Sequence, residues 1–92
     1  DETFPVRYKL YNAYPNPFNP STTMEFDIGS GQFISLNIYD LNGRLIEEFF
    51  IKHLLQGSHK ITWEPKNITS GFYFIELLAE NFRSTQKLIL LK

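Results

Sequence analysis

His53 and His59 are the chain's two histidines, the residue type that most often ligates metal. Their spacing fits no metal-ligand motif, and few carboxylates stand near them in sequence. Both read as surface or loop residues. Asp40, Asn42 and Gly43 resemble the opening of a calcium loop, but the later ligands and the closing glutamate do not follow, so a turn accounts for them. Serines such as Ser21, Ser58 and Ser70 sit in no nucleophile-elbow pattern. Gly29 and Gly31 are too few to cradle a phosphate. Asn67-Ile68-Thr69 matches a glycosylation sequon, a match common by chance. There is no cysteine, hence neither a disulfide framework nor a thiolate metal site. No catalytic residue, metal or cofactor is expected, and the chain does not read as an enzyme.

Two other features could support binding. Exposed rings stack on sugars, and Trp63, Tyr39 and Tyr11 are candidates, although a ring-rich sandwich uses most of its aromatics as core. The second feature is the chain end. Asn81 to Lys92 carries Arg83, Lys87 and Lys92 and no acidic residue, and it closes on Lys87-Leu88-Ile89-Leu90-Leu91-Lys92. One reading is a terminal strand completing a sheet, its lysines guarding against edge aggregation. The other is a strand offered to a receptor, by side-chain recognition or by strand addition.

The elements that must position that end read as strands. Residues 1–5 are acidic, polar and closed by Pro5, a linker end; residues 6–92 form one domain. Val6 to Ala13 alternates Val6, Tyr8 and Leu10 against Arg7, Lys9 and Tyr11. Thr22 to Ile28 sets Met24, Phe26 and Ile28 inward. Phe33 to Asp40 sets Ile34, Leu36 and Ile38 on one face. Asp40-Leu41-Asn42-Gly43 then signals a hairpin. From Leu45 the apolar residues fit a strand or a helical stripe ending at Gly57; the preceding turn favours a strand over 45–51 and an irregular loop through 58. His59 to Trp63, Phe72 to Ala79 and Arg83 to Leu91 complete the series. Seven short strands divided by Gly, Pro and Asn turns indicate an all-β, seven-stranded antiparallel sandwich.

Between the first two strands lies Tyr14-Pro15-Asn16-Pro17-Phe18-Asn19-Pro20-Ser21-Thr22. Its three prolines forbid a helix or a central strand. The stretch is expected to be a stiff corner between two sheets, with Phe18 plugged into the core.

Composition sets the remaining bounds. Nine phenylalanines, five tyrosines and one tryptophan in 92 residues let large rings fill a small core. Nine basic against ten acidic residues give a formal charge of −1, no footprint for nucleic acid or an anionic membrane. No apolar run reaches the roughly 18 residues of a spanning helix, so no membrane insertion by a helix is expected. The chain begins at Asp1, and we expect it to be a piece of a longer polypeptide.

The segments Y-P-N-P-F-N-P-S-T (14–22), I-Y-D-L-N-G-R-L-I (38–46), G-S-H-K-I-T-W (57–63), S-G-F-Y-F (70–74) and K-L-I-L-L-K (87–92) occur in the order found in one family. Together they resemble the type A C-terminal sorting domain of the bacterial type IX secretion system, over residues 8–92. The resemblance implies an Ig-like sandwich that carries an attached N-terminal cargo across the outer membrane to the cell surface. The implied partners are the secretion translocon and a surface sortase. It also implies roles for Gly43 in the family's hairpin, for Gly71 and Tyr73 in its G-x-Y strand start, and for Lys87, Leu88, Ile89, Leu90, Leu91 and Lys92 as its terminal signal. The sequence departs from the family at 52–56 and at Glu64-Pro65, both expected to be loops. Similar proline-corner modules occur in flagellar hook-capping proteins and on secreted hydrolases, so a structural or carbohydrate-binding accessory module is the alternative.

Overall fold

The computed structural model describes residues 7–92. These form seven strands: β1 (Lys9–Leu10), β2 (Thr22–Ile28), β3 (Gln32–Asp40), β4 (Leu45–Leu54), β5 (Gly57–Trp63), β6 (Gly71–Ala79) and β7 (Phe82–Leu90). One sheet has the order β1-β2-β5 and the other β4-β3-β6-β7. Every strand pairing is antiparallel. The chain changes sheet after β2, β4 and β5, the Greek-key connectivity of an Ig-like sandwich. β4 stays beside β3 rather than joining β1, β2 and β5 as in a constant-type immunoglobulin domain.

Period-2 alternation places the core as the sequence indicates. Met24, Phe26 and Ile28 of β2 face Ile34, Leu36 and Ile38 of β3, with Ile75 and Leu77 of β6 and Leu88 and Leu90 of β7 completing the layer. Trp63, at the end of β5, is 2% exposed and gathers rings around it. Its ring centre lies 5.6 Å from Phe18, 6.0 Å from Tyr73 and 6.4 Å from Phe49. Burying such a ring contributes roughly 1.5–3 kcal/mol. No buried side-chain nitrogen or oxygen among the described residues lacks a hydrogen-bond partner.

Two expectations need correction. The first strand is shorter than Val6 to Ala13; Val6 and the linker residues 1–5 lie outside the described residues, and regular pairing holds only at Lys9 and Leu10. Beyond it the Tyr11 N–H still donates to the Glu25 carbonyl of β2 at 2.9 Å, and Gln86 of β7 joins as a second partner: its Nε2 donates to the Leu10 carbonyl at 3.0 Å, and its Oε1 accepts from the Ala13 N–H at 3.3 Å. A side chain from the opposite sheet thus supplements the backbone bonds to β2 that remain there. The second correction concerns residues 45–58. The strand runs on to Leu54 and the next begins at Gly57, so the family departure at 52–56 falls partly within β4.

The helical stripe in β4 has a physical source. In the β3–β4 register Leu36 faces Phe50 and Asn37 faces Glu48, then Ile38 faces Glu47 and Tyr39 faces Leu45. Phe49 and Ile46 are therefore extra residues at two bulges. A bulge rotates the alternation, and here it turns both side chains against the core. Two bulges in one strand produce an apolar spacing that a helix would also give.

Candidate functional site

β7 fixes the chain end by alternation. Leu88 and Leu90 are 0% and 1% exposed, whereas Lys87 is exposed and Leu91 is 54% exposed. On the outer face of the sheet Lys87 is opposite Phe74, and Ile89 is opposite Phe72. The Lys87 ammonium stands 5.1 Å from the centre of the Phe72 ring, a cation–π contact. The run from Lys87 to Lys92 is thus two buried anchors between outward-facing side chains.

As an end strand of its sheet, β7 pairs with β6 along one edge only. The proline corner lies along its other edge. The Phe18 N–H donates to the Ile89 carbonyl at 2.9 Å, and the Leu91 N–H donates to the Phe18 carbonyl at 3.0 Å. The Asn16 side chain adds two more bonds: Nδ2 donates to the Lys87 carbonyl at 2.9 Å, and Oδ1 accepts from the Ile89 N–H at 3.0 Å. Further back, Tyr14 pairs with Thr23 of β2. The corner therefore crosses from one sheet to the other, as its prolines and Phe18 suggest, and ends as a short parallel partner of β7.

Beyond β7 the chain turns onto the loop before β6. The Lys92 N–H donates to Ser70 Oγ at 2.9 Å, and the Lys92 ammonium hydrogen-bonds the Ile68 carbonyl. Gly71 and Tyr73 lie in the adjoining corner. Gly71 has φ +152°, which L side chains rarely adopt, and no atom stands within 4 Å of where its Cβ would be; its backbone, not crowding, calls for glycine. Tyr73 is buried and its hydroxyl donates to the Thr69 carbonyl at 2.7 Å. This is the tyrosine corner of Ig-like sandwiches, a hydroxyl at the start of the sixth strand tied to backbone a few residues upstream.

Gly43 belongs to the β3–β4 hairpin, at φ +83° and fully open to solvent on its Cβ side. Asp40 builds that turn. Its Oδ1 accepts from the Asn42 and Arg44 N–H groups, both at 2.9 Å, and the Arg44 side chain bonds Oδ2 at 3.2 Å. The Arg44 backbone N–H, then that of Asn42, holds the Asp40 carboxyl below its ordinary range against the cost of desolvation. A carboxylate committed to two backbone donors is a turn-former and not a calcium ligand. The hairpin and the Asn67–Tyr73 segment line one groove, so Gly43, Gly71, Tyr73 and Lys87–Lys92 all lie at one end of the sandwich. Gly43, Gly71 and Tyr73 shape it; Lys87, Leu91 and Lys92 face outward from it.

The remaining chemistry resolves into structure. His53 packs edge-on against Phe33 at 6.0 Å, and His59 stacks on Phe26 at 5.5 Å. No group of three or more histidine, aspartate or glutamate side chains suited to a metal occurs among the described residues. Of the proposed sugar-stacking rings, Trp63 is core. Tyr39 bonds Glu76 at 3.1 Å, and Tyr11 bonds Asp27 at 2.5 Å with Lys9 over its ring at 4.7 Å. The three do not form a platform.

Sequence reasoning missed Asn16, Gln86 and Ser70. A polar residue between prolines reads as turn material, and nothing local shows that its amide meets a strand more than seventy positions away. The glutamine in an otherwise alternating strand was the one visible signal, since an inward-facing amide needs a partner.

A family model described as the secretion system C-terminal sorting domain matches residues 12–91. No curated protein and no solved structure matches the chain.

Proposed function

The chain belongs to the secretion system C-terminal sorting domain family, and from that premise we propose that it is the address by which type IX secretion carries an attached N-terminal cargo across the outer membrane. Membership itself makes it a sorting signal of an exported protein, destined for the cell surface or the medium. Translocon proteins read the outward-facing side chains at the Lys87–Lys92 end, and a surface sortase acts on the delivered protein. The domain has no catalytic part in this; it is the ligand.

The observation that supports this reading is the division of labour along the last six residues. Leu88 and Leu90 hold the end to the core, while Lys87, Leu91 and Lys92 remain accessible. Arg7 and Lys9 sit beside Asp27 and Ile28, at the end of β2 away from Thr22 and Trp63, whereas Ser70 and Lys92 lie by Gly71 and Leu90. The described chain thus begins at the end away from the surface that partners read.

The test is a fusion of the chain to a folded reporter, expressed in a host with an intact type IX system and in the same host with the translocon disabled. Reporter at the surface or in the medium of the intact host alone is the expected result. Equal export from both hosts, or retention in both, contradicts the reading.

A further inference from the structure

We infer that the proline corner is a guard on the edge of the terminal strand, and that without it β7 pairs with the β7 of a second copy of this chain. The outward backbone groups of β7 from the Lys87 carbonyl to the Leu91 N–H are the ones an added strand would use. Two are the N–H and carbonyl of Ile89, and all four are taken by Asn16 and Phe18. An edge strand with open backbone groups is a template for another strand, and this one carries the most apolar run in the chain, Leu88 to Leu91.

Lysines at 87 and 92 bracket the run, but none of the outward backbone groups of β7 is covered by their ammonium groups. The covering is done by a side chain that mimics a strand. A carboxamide presents one donor and one acceptor, as a peptide group does, and Asn16 spends both on Lys87 and Ile89. Phe18 continues the same edge through its own backbone, held there because its ring is buried beside Trp63. The prolines at 15, 17 and 20 lack N–H groups, so the corner covers β7 while offering little outward pairing of its own. Asn16 itself is exposed and holds nothing else in the core.

The inference is independent of the secretion reading and is tested on the 92-residue chain alone. Asn16→Ala is compared with the wild type by amide hydrogen exchange and by sedimentation velocity over a range of concentrations. Exchange at the Ile89 amide should rise about tenfold, as for the loss of one hydrogen bond. Exchange at Leu88 and Leu90, whose amides face β6, should change far less. The variant should also form dimers that the wild type does not. Adding Ile89→Pro removes the outward N–H at an edge position that tolerates proline, and should restore the monomer.

Unchanged exchange at Ile89 would overturn the inference, because the amide would then not be what covers the edge. So would a monomeric Asn16→Ala with a deprotected Ile89, or dimers that persist with Ile89→Pro. Unfolding of Asn16→Ala would overturn it as well, since a guard on the surface does not carry the core.

Discussion

Phe18 and Leu90 form a parallel bridge that joins the proline corner to the last strand of the chain. Residues more than seventy positions apart thereby close one sheet edge. The Phe18 ring, 1% exposed, enters the core between the sheets, so the corner is fastened from inside by an aromatic and from outside by backbone hydrogen bonds. The organising stretch near the start and the signal-like stretch at the end are thus one structural unit.

Phe18→Ala should therefore be among the most damaging single changes. Removing a fully buried phenylalanine costs about 3–5 kcal/mol, much of the stability of a domain this small. Urea unfolding followed by Trp63 fluorescence measures it. A loss below about 1 kcal/mol would mean that the ring is not a core residue.

Tyr73→Phe isolates the tyrosine corner. The ring keeps its packing on Trp63 and only the bond to the Thr69 carbonyl goes. The expected loss is about 1 kcal/mol, read as a lower urea midpoint with an unchanged slope. Export of a fused cargo should be unaffected where the variant remains folded, because the Tyr73 ring is buried.

Gly43 separates a conformational role from a recognition role. At φ +83°, Asn is tolerated better than most residues and a β-branched side chain is strained. Gly43→Val should destabilise by about 1–2 kcal/mol, while Gly43→Asn should lie within about 0.5 kcal/mol of the wild type. Equal losses in thermal or urea unfolding would contradict a backbone origin.

Acid should weaken the domain through Asp27 and Asp40. The Tyr11 hydroxyl, then that of Ser58, holds the Asp27 carboxyl below its ordinary range, and Ser58 bonds it at 2.7 Å. A depressed folded value means that the unfolded chain takes up the proton first, at about pH 4. The stabilisation is present above that pH and is lost as pH falls through the lowered folded values. Asp27→Asn should be less stable than the wild type at neutral pH, and the two should converge as pH falls through the lowered folded value. Parallel stability curves from neutral to acid pH would contradict this. Tyr11 is raised by the same Asp27 bond, so ionising the phenol removes that contribution a second time, on the alkaline side above about pH 10.

Much of this was legible in the sequence because strand alternation is a local signal. β2, β3, β6 and β7 fall close to where period 2 puts them, and the hairpin at Asp40–Gly43 follows from residues that tolerate positive φ. Legibility failed where one element depends on a distant one. The bulges at Ile46 and Phe49 are defined by the register of β4 against β3, and their apolar spacing copies a helix. Beside β1, Gln86 of the other sheet bonds Leu10 and Ala13, a contact between residues more than seventy positions apart. Of the site, Lys87–Lys92 could be picked out from composition, and the corner from its prolines. That Asn16 binds Ile89 could not, because pairing across the whole length of the chain leaves no trace in local spacing.

On the proposed function, the side chains facing outward at the chain end are the address. Deleting Lys87–Lys92 cannot test it, because Leu88 and Leu90 would go too and the core would open. The direct measurement is export of a fused reporter by a Lys87→Ser, Leu91→Ser, Lys92→Ser triple variant, with folding checked by Trp63 fluorescence and urea midpoint. The expected result is a folded domain whose reporter stays inside the cell. Export at the wild-type level by the folded variant would contradict the claim.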